Sequence, residues 1–165
     1  MAKYYCVLFD ADNTLLNFDA AENKALAETL VNYGIEPDAE TVQTYRTINS
    51  ELWKQLEKGQ IRREKLMSER FTRFLKAIDA AGNGAEMNRF YLDRLSTHPD
   101  LMAANVLDVM SELAEVATLA IVTNGFERVQ SRRVAESGLA PFLEDVFISE
   151  KLDAEKPNRK IFDAA

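Results

Sequence analysis

The chain has 165 residues, 47% of them apolar and 28% charged, a composition that supports a folded core and excludes a disordered chain. Twenty Lys and Arg against 27 Asp and Glu leave a net charge of −7, so the chain lacks the basic surplus with which a nucleic-acid binder displaces counterions. The single cysteine, Cys6, excludes an intrachain disulfide, and no apolar stretch approaches the roughly 20 residues that span a bilayer.

Tyr4-Tyr5-Cys6-Val7-Leu8-Phe9 is a continuous apolar run, the pattern of a strand covered on both faces in a parallel sheet. That pattern places Cys6 inside as a small hydrophobe. The run is too short for a signal-peptide core and passes straight into Asp10, so a cytoplasmic protein is expected. Residues 20–33 read as a helix stopped by Gly34. Pro37-Asp38 opens a second, with Val42, Tyr45, Ile48, Leu52, Trp53 and Leu56 at helical spacing. Met67, Phe71, Phe74, Leu75 and Ile78 form a third stripe, broken at Gly82-Asn83-Gly84, and Met87, Phe90, Tyr91 and Leu95 form a fourth. After Pro99 the pattern alternates: helix at 104–113, strand at 119–122, helix at 127–137, strand at 146–148. Such alternation predicts an α/β fold with a doubly wound parallel sheet. The four-helix stretch is then an insertion, giving a core of residues 1–17 and 98–165 and a helical domain of residues 18–97.

Ligands of such sheets bind beyond the carboxyl ends of the strands. Three polar segments occupy that position. Asp10 and Asp12 follow the first strand, and in extended geometry residues i and i+2 face one side, so both carboxylates can share one cavity. Close carboxylates resist joint ionisation, which divides their roles between nucleophile or metal ligand and proton donor. An oxygen-rich corner of this kind suits Mg²⁺. The competing reading of a bare Asp-x-Asp pair is a solvated turn. Thr14 is expected to close the loop through its backbone. Thr123-Asn124-Gly125 ends the second strand at a helix start, where a hydroxyl and backbone N–H groups can hold an oxyanion, although Asn-Gly is also a plain turn signal. Lys156-Pro157 follows the third strand with a cation able to meet a phosphate.

The segments Phe9-Asp10-Ala11-Asp12-Asn13-Thr14, Ile121-Val122-Thr123-Asn124-Gly125 and Glu155-Lys156-Pro157-Asn158-Arg159-Lys160-Ile161-Phe162 resemble motifs I, II and III of the haloacid dehalogenase (HAD) superfamily. The helical insertion stands where that family places its type-1 cap. Asn49-Ser50-Glu51-Leu52-Trp53, Gly59-Gln60-Ile61 and the turn ending in Phe126 are similar to the branch of pyrimidine 5′-nucleotidases. The resemblance implies a Rossmann-like core and an Mg²⁺-dependent phosphomonoesterase. In it Asp10 becomes an aspartyl-phosphate and touches the metal. Asp12 acts as acid and base and offers its backbone carbonyl to the metal. Thr123, Asn124 and Lys156 hold the phosphoryl oxygens.

The substrate implied is a small phosphate ester, a nucleoside 5′-monophosphate, with neither nucleic acid nor membrane as partner. Trp53 and Phe126 are the candidate substrate contacts, with packing the competing role for Trp53. A sugar-phosphate phosphatase shares the same catalytic residues, and an inactive phosphate-binding module is the alternative outside the enzymes. A dehalogenase expels halide and needs no second acid, so Asp12 argues against it. His98 reads as a surface residue of the core–insertion crossing, and Arg62-Arg63 and Arg132-Arg133 as solvated helix faces. The family's motif IV, an acidic pair after a fourth strand, is absent from these 165 residues. Weak Mg²⁺ binding, slow turnover, an edge position for the first strand and a tendency to aggregate are the expectations for these residues alone.

Overall fold

The computed structural model describes residues 5–165. They form two compact units, one of Met1–Glu22 with Ser96–Ala165 and the other of Asn23–Leu95. Tyr4 of the first expected strand lies outside the described residues.

The first unit is a mixed α/β layer around a parallel sheet. Its strands are β1 (Cys6–Phe9), β2 (Thr118–Thr123) and β3 (Asp145–Ile148), in the order β1-β2-β3. Phe9 pairs with Ile121, and Thr123 with Ile148. The strands therefore end together, and Asp10, Asn124 and Ser149 leave the sheet from one end. β2 is the central strand, buried from Leu119 to Thr123. Leu119 and Ile121 join Leu16, Met110, Val134 and Leu139 in one apolar cluster. Val122 meets Ala154 and Ile161 in another. Burial on both faces is what its unbroken apolar run requires.

β1 departs from that pattern. Val7 and Phe9 pack against the first cluster, whereas Cys6 and Leu8 are exposed. Among the described residues β1 has one strand neighbour and one covered face, so the expected two-sided burial, and with it a buried Cys6, does not hold.

α1 (Phe18–Asn32) begins in this unit and ends in the second, where Gly34 stops it with a φ of +70°. In the first unit α5 (Val106–Ala114) precedes β2 and α6 (Glu127–Glu136) follows it. A 3₁₀ turn at Ala140–Phe142 leads into β3, and the short helices α7 (Ser149–Leu152) and α8 (Arg159–Ala164) come after it.

The second unit is helical: the end of α1, then α2 (Ala39–Glu57), α3 (Arg63–Ala77) and α4 (Gly84–Ser96) as far as Leu95. Asp38 caps α2 by accepting from Thr41 N at 2.8 Å, and that bond holds its carboxyl below the ordinary carboxylate range. The core is an aromatic group in which the Tyr45 ring lies 5.1 Å from Phe71 and 5.7 Å from Tyr91, centroid to centroid. Arg70 is buried beside it, 4.8 Å over the Tyr91 ring, with Nε donating to Asn88 Oδ1 at 3.0 Å. Among the described residues no helix is long and apolar enough to cross a membrane.

Candidate active site at the carboxyl end of the sheet

A tight turn aims the first carboxylate. The carbonyl of buried Ala11 accepts from Thr14 N at 3.3 Å, Leu15 N at 3.0 Å and Leu16 N at 2.9 Å, which curls the chain back on itself. Asn13 makes this possible with a φ of +58°, a conformation its short carboxamide tolerates. Its Oδ1 accepts from Phe18 N at 3.0 Å and Asp19 N at 3.2 Å, tying the turn to the start of α1. Thr14 joins the turn through its backbone N–H as expected, its side chain standing exposed, while Asn13 supplies the side-chain tie.

Asp10 emerges from β1 half-exposed. Its Oδ1 accepts from Ala11 N at 2.9 Å and from Lys156 Nζ at 2.6 Å. Its Oδ2 makes no hydrogen bond among the described residues. Lys156 Nζ also donates to the carbonyl of Val122 on β2 at 2.8 Å, which fixes the ammonium against the strand end. Asn124 secures the same loop. Its Nδ2 donates to the Lys156 carbonyl at 3.1 Å, and its Oδ1 accepts from Lys156 N at 2.6 Å. The Asn124 carboxamide is thus engaged in holding Lys156.

Asp12 faces the other way, into α6. Arg133 Nη1 donates to Oδ1 at 2.5 Å, and Gln130 Nε2 donates to Oδ2 at 2.5 Å. Burial pushes the Asp12 carboxyl above its ordinary value, opposed by the charge and hydrogen bond of Arg133 and by Gln130, with the Asp10 charge adding to the rise. Gln130 Nε2 also lies 3.3 Å from Thr123 Oγ1, which accepts from Gly125 N at 3.2 Å. A hydroxyl that accepts in this way keeps its own proton to donate.

Arg133 and Gln130 were not foreseen. Arg133 was read as part of a solvated face, yet its side chain is fully buried; only Arg132 is exposed, paired with Glu136 at 2.7 Å. Arg63 is likewise buried, while Arg62 is exposed. The available signal was helical spacing, because Phe126, Val129, Gln130, Arg133 and Val134 share the buried face of α6. Phe126 itself is 6% exposed at the N-cap of that helix, a position where its ring packs. Trp53 belongs to α2 of the helical unit and is half-buried. His98 is half-buried rather than a surface residue, and its carbonyl accepts from Arg133 Nε at 3.0 Å.

The donor set fits a hard cation of the Mg²⁺ kind in a restricted sense. Among the described residues no group of three or more His, Cys, Asp or Glu gathers. The acidic oxygen open to a cation is Asp10 Oδ2, since both oxygens of Asp12 have donors. A magnesium ion is commonly held by one or two carboxylates, with phosphate oxygens and water completing its shell, and one open carboxylate beside the backbone of Asp12 suits that mode.

Comparison with known proteins identifies the family. The family model of haloacid dehalogenase-like hydrolases matches residues 4–165. The chain belongs to that family. The HAD-hydrolase YfnB of Bacillus subtilis is 35% identical over 98% of this chain and 68% of its own length. A crystal structure of YfnB, described as bound to magnesium, superposes with a TM-score of 0.90 over 98% of this chain and 71% of that one. Pyrimidine 5′-nucleotidase PynA of Streptococcus pneumoniae is 34% identical over 97% of this chain and 68% of its length. Pyrimidine 5′-nucleotidase YjjG of Escherichia coli is 28% identical over 99% and 70%. As a HAD-like hydrolase the chain is an enzyme.

Proposed function

We propose that this HAD-like hydrolase is an Mg²⁺-dependent phosphatase of nucleoside 5′-monophosphates, with pyrimidine nucleotides the preferred class. The observation that carries the reading is the division of labour between two carboxylates. Asp10 is held by one oxygen and open at the other, while Asp12, two residues on, is half-buried with a donor on each oxygen. The names of PynA and YjjG support the substrate class.

In this reading the Asp10 carboxylate attacks phosphorus, and the bond from phosphorus to the ester oxygen breaks. Asp12 gives its proton to the departing alkoxide. Asp12 then takes a proton from water, whose oxygen attacks phosphorus and breaks the bond to Asp10, releasing phosphate and restoring the carboxylate. Lys156 and the Thr123 hydroxyl meet charge on the phosphoryl oxygens, and Asn124 keeps Lys156 in place. A magnesium ion held by Asp10 and the Asp12 backbone carbonyl would neutralise phosphate charge and orient the ester.

The test is a release panel with Mg²⁺ on nucleoside monophosphates, sugar phosphates and 2-haloacids. Phosphate from pyrimidine nucleotides at the highest kcat/KM is the expected result. Halide release, or a clear preference for sugar phosphates, overturns the reading.

A further inference from the structure

Asp12 is gripped from two sides by side chains outside the three motifs, and the two grips differ in kind. Arg133 is fully buried and tied down elsewhere: Nε donates to the His98 carbonyl at 3.0 Å, and the guanidinium lies 5.9 Å from the centre of the Phe18 ring. It cannot leave Asp12 without stranding a charge in the interior. Gln130 is neutral, and its Nε2 is shared between Asp12 Oδ2 and Thr123 Oγ1. Its Oε1 is buried with no hydrogen-bond partner among the described residues. The amide orientation is dictated by chemistry, because Oε1 turned toward a carboxylate would set two acceptors against each other.

Gly125 belongs to the same device. It is not among the described glycines with positive φ, so the turn does not need glycine for its backbone. A Cβ there would lie 2.5 Å from Gln130 Cγ. The glycine of the Thr-Asn-Gly segment leaves the space through which Gln130 reaches Asp12.

From this geometry, and resting on the phosphatase reading above, we infer that Arg133 and Gln130 are positioning residues for proton transfer: Arg133 anchors Asp12 by Oδ1, and Gln130 orients Oδ2, the oxygen that serves the leaving group. Oδ1 accepts from Arg133 throughout, so the proton that Asp12 donates rides on Oδ2. Oδ2 retains acceptor capacity with or without a proton, so Gln130 Nε2, itself braced by Thr123 Oγ1, keeps that oxygen in one orientation. When the alkoxide leaves, the Oδ2–H bond breaks, the proton passes to the ester oxygen, and the carboxylate electron pair is met by Arg133.

The experiment compares two substrates with the full chain and Mg²⁺. A nucleoside 5′-monophosphate expels a basic alkoxide that needs a proton, whereas p-nitrophenyl phosphate expels a phenolate that does not. Arg133→Met and Gln130→Met are measured on both, with circular dichroism to establish folding and Arg133→Lys as the conservative variant. Positioned proton transfer is worth roughly 10²–10⁴-fold. The expected result is a loss of kcat of about 10²-fold or more on the nucleotide with KM little changed, and at most a several-fold loss on p-nitrophenyl phosphate. Arg133→Lys should recover part of the nucleotide rate. If Arg133→Met does not fold, Gln130→Met carries the same comparison. Equal losses on both substrates, or no loss on the nucleotide, overturn the inference alone. A wild-type protein that releases phosphate from neither substrate overturns the phosphatase reading, and the inference with it.

Discussion

Alanine at Gly125 tests whether that residue is a spacer or a turn former. Its Cβ would stand 2.5 Å from Gln130 Cγ, whereas carbon atoms settle at about 3.5 Å or more, so Gln130 would have to retreat by about 1 Å. A retreat of that size stretches the 2.5 Å bond to Asp12 and the 3.3 Å contact with Thr123 past hydrogen-bond range. Overpacking costs about 1–3 kcal/mol, and a lost hydrogen bond to a charged group about 1.5–3 kcal/mol. Partial relaxation makes these overlap, so Gly125→Ala should destabilise by about 2–4 kcal/mol. Gln130→Ala removes the obstructing Cγ and the same hydrogen bond. The double variant should therefore fall short of the summed single losses by about 1–2 kcal/mol, the coupling expected of residues in contact. Urea denaturation of the four proteins, followed by circular dichroism, measures the cycle. Gly125→Ala within about 0.5 kcal/mol of wild type, or strictly additive losses, would refute the spacer argument.

Three further outcomes follow from the structure. Lys156→Met removes the cation 2.6 Å from Asp10 and should lower kcat/KM for phosphate release by about 10²–10³-fold; a loss below threefold contradicts its role. Asp38→Ala deletes the α2 cap and should lower the melting temperature by roughly 2–4 °C at neutral pH. The folded-state pKa of Asp38 is depressed, so its contribution is present above the ordinary carboxylate range and is lost as pH falls through the lower folded-state value; Asp38→Asn should keep a cap and lose that acid sensitivity in thermal melts. Trp53→Ala should raise KM for nucleotides by about fivefold or more if Trp53 stacks on a base, and equal effects on p-nitrophenyl phosphate would return Trp53 to packing.

What the sequence reveals of this protein follows from how local each signal is. Asp10 and Thr123 stand just beyond apolar runs, and parallel pairing brings such positions together whatever the intervening chain does; Lys156 joins them from the loop after α7. Thr14 and Asn13 could not be ranked, because the choice hangs on which residue takes the positive φ in one turn. Arg133 beside Arg132 looks like a charged surface in one dimension. Its partner Asp12 lies 121 residues away along the chain, and the one local trace of its burial is its place on the face of α6 that also carries Val129 and Gln130. Cys6 was misplaced because an apolar run reports that a strand can be covered on both faces, not that both covers are present among the described residues.

The most direct measurement is the location of the covalent phosphate. The protein with Mg²⁺ is mixed with a labelled nucleoside 5′-monophosphate, quenched in acid within a turnover and digested for mass spectrometry, with beryllium fluoride trapping as a parallel probe. The account predicts a hydroxylamine-sensitive acyl phosphate on Asp10 and none on Asp12, with both label and turnover abolished in Asp10→Asn. Steady phosphate release without label on Asp10, or a labelled residue elsewhere, would contradict it.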